Sequence, residues 1–284
     1  MWWYNGRVVP ILLAALSAVV WGTGDFSGGK ATRRARALTV TVVSQLASLP
    51  VLAACVALAG GRGPTIGALG WGAVGGTVGF AGILLLYRGL SQGSMSVFAP
   101  VSAMTTALVP LAVGLTVDRT PSVPALVGAG VAVVAIGLVS RAPGGAGVAT
   151  PRLIGLALAC GMCFGVFFVI LGKAGGHAGL WPLVGVRIGS LGLGLLAVAR
   201  SRLSLALPPA ARGWAVLAGS ADVLANALYL IAATSGPLAI VAPIGALYPV
   251  STVILALVVD RERVAPAQLA GLGLAATALV LAAT

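Results

Sequence analysis

Ten apolar runs follow one another along this chain, separated only by short clusters of Gly, Pro, Arg and Ser. A helix needs roughly 20 apolar residues to cross a hydrocarbon core of about 30 Å, and the runs are of that length. Lipid offers no partner to a bare N–H or C=O, so a spanning segment must satisfy its backbone internally, as helices do. The chain is therefore expected to be all-α. With 59% of its 284 residues apolar and 8% charged, it leaves no room for a sizeable soluble domain. The runs predict helices near 8–28, 38–59, 67–88, 93–117, 122–140, 153–172, 180–199, 213–234, 237–259 and 266–283.

A net charge of +12 would suggest nucleic acid in a soluble protein. Here the cations lie between apolar runs, where basic residues orient membrane proteins, so no nucleic-acid partner is expected. Cys55, Cys160 and Cys163 fall inside apolar runs and suggest no disulfide framework. Cys160 and Cys163 form a C-x-x-C, but no His or further Cys lies nearby to complete a metal set, and they read as small packing residues. Ala14 to Ala18 resembles a signal-peptide cleavage region. The internal repeat argues that this first helix is retained.

That repeat appears when the sequence is slid along itself by 143 residues. Trp21-Gly22 falls on Phe164-Gly165, Gly29-Lys30 on Gly172-Lys173, Trp71 on Trp214 and Gly76 on Gly219. Gly93 falls on Gly236, Ala99-Pro100 on Ala242-Pro243 and Gly128 on Gly271. Lys, Trp and Pro are scarce here, so their coincidence in one ungapped register marks two related halves, 1–142 and 143–284. Five helices per half is an odd number, so the second half enters the membrane in the opposite direction. The fold expected is an all-α integral membrane protein of ten transmembrane helices arranged as two inverted five-helix repeats. Two such halves can exchange outward-open and inward-open states of similar energy around one site, which is the physical basis of a carrier.

The stretch from Asn226 to Thr284 carries Ala227-Leu228-Tyr229, Pro249, Glu262-Arg263 and Gly271. Together with Trp21-Gly22 and Lys30 in the first half, it resembles the EamA-type carriers of the drug/metabolite transporter superfamily. Arg261 stands where that pattern has Gly, and Thr106 and Arg119 stand where the first half would have Pro and Glu. The resemblance implies a multi-pass protein of the cell inner membrane that moves a small-molecule solute outwards, as an exporter, without naming the solute. It also implies both termini inside. The loop charges imply the reverse: four Lys/Arg (Arg7, Arg62, Arg119, Lys173) lie on one side and twelve on the other, including Lys30, Arg33, Arg34 and Arg36.

Ionisable groups within membrane helices cost about 2.5–3.5 kcal/mol or more each, so they face a cavity or a partner. Asp25, Arg88, Arg187 and Asp222 are the four inside the runs. Arg88 lies at a helix end, where its stem can reach the headgroups. Asp25 is near an end too, and capping or a pair with Lys30 competes with a functional role. Arg187 and Asp222 both fall near mid-depth of adjacent runs and are expected to form an ion pair, either structural or part of a site.

Asp222, Asn226 and Tyr229 share one helical face, as do Ser17, Trp21 and Asp25, and Thr41, Gln45 and Ser48. Three polar stripes suggest a shared cavity. None of the charges is mirrored in the other half, which suits a solute with distinct ends. The substrate-binding candidates are Trp21, Tyr87, Arg187, Asp222, Asn226, Tyr229 and Tyr248; Asp25 and Asp222 are the candidates for proton coupling. Trp71 and Trp214 are further aromatic candidates. Pro100, Pro243 and Pro249 remove backbone hydrogen bonds inside the fourth and ninth runs and are the candidate hinges.

Gly24 to Ala31 reads G-D-F-S-G-G-K-A, close to a phosphate-binding loop, but Ala31 stands where the metal-binding hydroxyl is required. Transport would therefore be powered by a gradient, with no cofactor and no metal. The sole histidine, His177, has no catalytic partners in the sequence, so an enzyme is not expected. The alternatives to a carrier are a channel or a transport-derived membrane sensor, and after them a membrane-embedded enzyme.

Overall fold

The computed structural model describes residues 2–59, 63–91, 95–117, 122–140, 150–174, 178–261 and 265–282, with the side chains of 2–7, 87, 89–91 and 95–97 left aside. Every regular element among them is helical, apart from turns: α1 (Trp2–Thr32), α2 (Ala37–Ala47), α3 (Leu49–Ala59), α4 (Ile66–Ser91), α5 (Met95–Val117) and α6 (Val123–Val139). The second half follows with α7 (Pro151–Ala174), α8 (Trp181–Arg200), α9 (Pro209–Ser235), α10 (Leu238–Gly245), α11 (Tyr248–Val259) and α12 (Pro266–Ala282). Among the described residues, eight stretches are long and apolar enough to cross a membrane; α6 and α12, at 17 residues each, are shorter apolar helices.

Two of the expected helices are each broken in two. The second run divides at Ser48, whose hydroxyl donates to the Gln45 carbonyl at 2.8 Å. Pro50 follows and has no N–H to give the Leu46 carbonyl. The ninth run divides at Ala246–Leu247, just before Pro249, which in the same way cannot serve Gly245. Pro249 therefore sits in the first turn of α11, where a missing N–H costs nothing, and not inside a helix as expected. Pro100 and Pro243 do lie within helices, and α5 runs on through both Pro100 and Pro110.

Helices pack across the halves in reciprocal pairs. α1 lies against α9, and its counterpart α7 against α4; α1 also meets α10 and α11, as α7 meets α5; α2 meets α9, as α8 meets α4. Glycines allow these approaches, because without the hydrophobic effect helix association in lipid rests on close packing. A Cβ on Gly76 would collide with the Val186 carbonyl, and one on the matching Gly219 with the Ser44 carbonyl. The pair α6·α12 is its own counterpart. A Cβ on Gly128 would stand 2.8 Å from the Ala282 amide, and one on Gly271 would stand 2.9 Å from the Val139 amide. The 143-residue offset carries 128 onto 271 and 139 onto 282, so one contact is made twice.

The directions are also regular. Ser17 and Gly24 of α1 meet Ala225 and Ala221 of α9 in falling order, so these helices are antiparallel. Ala18 and Lys30 meet Ser251 and Asp260 in rising order, so α1 and α11 are parallel. The Ala14–Ala18 segment is part of this packing, with Ala14, Ser17 and Ala18 buried.

Candidate functional site

Asp222 is the hub of the polar interior. The Arg187 guanidinium of α8 donates to its Oδ2 at 2.5 Å, and Asn226 Nδ2, one turn along α9, donates to its Oδ1 at 3.0 Å and to its carbonyl at 2.6 Å. Trp21 Nε1, from α1, points at the same Oδ1 from 3.4 Å. Three helices from two halves thus converge on one carboxylate. The expected Arg187–Asp222 pair is formed, and it is lopsided: the arginine side chain is 7% exposed, whereas the carboxylate is 40% exposed.

That exposure faces inward. On α1 the outward stripe is Val9, Leu12, Leu16 and Val19, each about half exposed. At 3.6 residues per turn, Asp25 projects from roughly the opposite side, the side of buried Ala14, Ala18 and Trp21. On α9 the outward stripe is Val216, Leu217, Leu224 and Ile231, and Asp222 again projects opposite it. Both carboxylates are nevertheless solvent-accessible, and they are close enough for their charges to interact. Accessible carboxylates on faces turned away from the outward apolar stripes mark a candidate cleft between the helices. Tyr248, half-buried at the start of α11, also lies within electrostatic reach of Asp25.

One wall of the site is aromatic. Trp21 stacks on Phe168 with centroids 5.0 Å apart, and Phe168 stacks on Tyr229 at 4.7 Å. The Tyr229 hydroxyl is committed to the Phe168 carbonyl at 3.2 Å, and the residue is fully buried. Asn226 is also buried; its amide nitrogen serves Asp222, and its Oδ1 has no partner. Asn226 and Tyr229 hold the site's shape from behind.

The remaining residues divide. Lys30 pairs with Asp260 at the far end of α11, with Arg33 approaching the same carboxylate at 3.7 Å, and not with Asp25. Asp25 has no hydrogen-bond or ion-pair partner among the described residues. The Thr41, Gln45 and Ser48 stripe is buried between helices: Ser190 of α8 donates to Gln45 Oε1 at 2.9 Å, while Thr41 and Ser48 bond to their own backbone. Trp71 is 60% exposed on the outside of α4, and Trp214 meets Phe26 edge-on. Arg88 is exposed, as a residue reaching for headgroups would be. The side chain of Tyr87, together with His177, Arg119 and Glu262, lies outside the described residues. Gly24 to Ala31 is continuous helix, so its phosphate-loop pattern forms no loop.

The model of the EamA-like transporter family matches residues 8–141 and again 152–284. The chain belongs to the EamA-like transporter family. One family model matches both stretches, and the reciprocal packing described above is the packing of those two stretches. A search of curated proteins finds no match. Among solved structures, this EamA-like fold is similar to one described only as the crystal structure of a protein, with 18% identity and a TM-score of 0.79 over 97% of this chain and 98% of that one. The likeness is one of fold.

Sequence reasoning missed Phe168, Ser190 and Asp260. Phe168 is the residue on which Asp25 falls in the repeat register, so the register itself brings it to notice. Nothing in the spacing points to Ser190. Asp260 closes the ninth run beside Arg261, a position that reads as an ordinary loop charge.

Proposed function

We propose that the protein is a secondary transporter that carries a small solute out across the cytoplasmic membrane by alternating access. The observation that carries this reading is the pair of accessible carboxylates, Asp25 and Asp222, in an interior cleft where helices of both halves meet. Ionisable groups at such depth belong to solute or ion paths unless they are fully paired. The reciprocal packing and the alternating helix directions support ten crossings and two inverted repeats, 1–142 and 143–284, that rock about this cleft.

In this reading Asp222 is held by Arg187 and Asn226, Trp21 and Tyr248 flank the solute, and Tyr229 backs the wall. Asp25 and Asp222 exchange the coupling proton. The break between α10 and α11, framed by Pro243 and Pro249, is the hinge of the second half, and Pro100 is its continuous counterpart in the first. In this reading the Lys30, Arg33 and Arg34 side faces the cytoplasm and both termini lie outside, the orientation that the loop charges favour.

Counterflow in proteoliposomes tests the mechanism. A carrier preloaded with unlabelled solute takes up labelled solute faster than an empty vesicle does, and its flux saturates. Flux linear in concentration and indifferent to preloading would make the protein a channel.

A further inference from the structure

The end of the bundle at which α1 and α8 finish and α2 and α9 begin is crowded with cations. There α2 packs against both α8 and α9. It runs against α8 and the turn that follows, with Thr39, Val42 and Gln45 meeting Ser204, Gly194 and Ser190 in falling order. It runs along α9, with Val40 clustering with Ala211 and Ser44 meeting Gly219. Arg36, the residue before α2, therefore stands between Arg200 and Arg202 at the end of α8 and Arg212 in the first turn of α9, and Arg34 belongs to the same connection as Arg36. Beneath them Ala31, Val40, Leu207, Ala211 and Ala215 form a buried cluster that fastens the α1–α2 and α8–α9 connections to each other.

These five arginines are exposed, and little in the protein answers them. Arg34 and Arg212 each give one N–H to a backbone carbonyl, of Lys30 and of Leu207, while Arg36, Arg200 and Arg202 have no partner among the described residues. The acid described at this end, Asp260, is taken by Lys30 and Arg33. Both helices that begin here lack a side-chain cap, so their first N–H groups add positive character to the same surface. A bias of cations towards the cytoplasmic side explains why each loop is basic, but not why two loops 165 residues apart at Thr39 and Ser204 are fastened into one patch. Arg202 also closes α8 with a φ of 49°, a left-handed conformation that glycine adopts without strain. The charge is kept where the backbone favours another residue.

The surface leading away from the patch is apolar. Leu195 and Leu196 on α8 and Val216 and Leu217 on α9 are exposed little more than a turn from Arg200 and Arg212, and Trp214, beside Arg212, meets Phe26 edge-on, as aromatics do at the level of the headgroups. An occupant that matches both parts carries a negative charge at one end and hydrocarbon at the other. We infer that this patch binds the headgroup of an anionic phospholipid, its phosphate on Arg36, Arg202 and Arg212 and its acyl chains along the exposed faces of α8 and α9. A nucleic acid or a free anion would use the arginines and not those faces. The bound lipid joins a connection of the first half to one of the second, and so holds this end of the bundle together. This site is independent of the carrier reading, since it asks nothing of the cleft.

The test is thermal unfolding of the purified full-length protein in a neutral detergent with phosphatidylglycerol, phosphatidylcholine or inorganic phosphate added. Phosphatidylglycerol is expected to raise Tm well above the other two, and added salt to shrink the rise. The triple variant Arg36→Gln, Arg200→Gln and Arg212→Gln should lose more than half of that rise, whereas Arg152→Gln with Lys173→Gln, exposed cations elsewhere, should keep it. Arg202→Gly removes a charge and relieves the backbone, so it should lower the rise while leaving Tm in detergent alone unchanged or higher. A merely structural arginine would not give that pair of effects, and this variant decides the matter if the triple does not fold. An equal rise with phosphatidylcholine, a rise that Arg202→Gly and the triple both retain, or an equal loss in the Arg152 and Lys173 control overturns the inference. A rise given by inorganic phosphate alone makes this a site for soluble anions and overturns it as well.

Discussion

Arg187 and Asp222 form an ion pair 2.5 Å long in which one partner is sealed in the protein and the other opens into the cleft. The asymmetry assigns the two residues different work. The arginine fixes the orientation of a carboxylate whose free side remains available, and Asn226 Nδ2 holds it from the adjacent turn.

Removing the arginine should therefore be felt as instability before it is felt as lost specificity. Arg187→Gln leaves Asp222 with water, Asn226 and the long contact from Trp21, and the loss is expected to be about 1–3 kcal/mol, moderated by the carboxylate's access to water. Thermal unfolding in detergent measures it. The double variant Arg187→Gln with Asp222→Asn should recover part of the loss, because the uncompensated charge is gone. No recovery would mean that the pair is not the principal contact of either residue.

The glycines divide into those that other helices need and those that they do not. Gly128→Val and Gly271→Val should damage the protein to a similar degree, about 1–3 kcal/mol or more each, since each drives a side chain into the partner backbone of the same α6·α12 contact. Gly130→Ala and Gly273→Ala, on the same two helices with open space beside them, should be neutral or slightly stabilising. Monodispersity and Tm of the four variants decide this. Unequal damage from the first two would contradict the two-fold relation between the halves.

Lys30 and Arg33 clasp Asp260, joining the end of α1 to the end of α11. If α1 and α11 part when the cleft opens on that side, a covalent link there must stop the cycle. In a background with Cys55, Cys160 and Cys163 replaced, Lys30→Cys with Asp260→Cys and a short cleavable thiol cross-linker should abolish counterflow, and cleavage should restore it. Undiminished counterflow in the linked protein would show that the opening lies elsewhere.

The hinge proposal has its own signature. Pro243→Ala returns a backbone donor within α10, and Pro249→Ala returns one to the Gly245 carbonyl across the break. Both should slow turnover several-fold while changing the apparent affinity for solute little, as measured by initial rates of uptake. A change confined to affinity would move these prolines from the hinge to the solute path.

Much of this was legible in the sequence because it depends on local or periodic properties. Eight runs of membrane length among the described residues, the register of Gly76 and Gly128 against Gly219 and Gly271, and the pairing of Asp222 with Arg187 all survive in the structure. The face shared by Asp222, Asn226 and Tyr229 is real as well, but sequence could not say that two of the three are buried behind the first. Periodicity tells which residues project together and leaves open what meets them. The same limit hid Phe168, the bond from Ser190 to Gln45 and the clasp on Asp260, each of which joins helices far apart in the chain. It also left Lys30 and Asp25 as neighbours on one helix, whereas the Lys30 amine is taken by Asp260 at the end of α11. The break at Ser48 had a local sign in Pro50, whereas α5 shows that a proline alone does not fix where a helix divides.

The most direct measurement is accumulation of labelled solute in proteoliposomes with and without an imposed pH gradient, comparing the wild-type protein with Asp222→Asn. Saturable accumulation that follows the gradient in the wild type and is lost in the variant, with the variant still folded by thermal unfolding, is the predicted result. Accumulation that is unchanged by Asp222→Asn, or that ignores the gradient in both proteins, would contradict the central role given to this carboxylate.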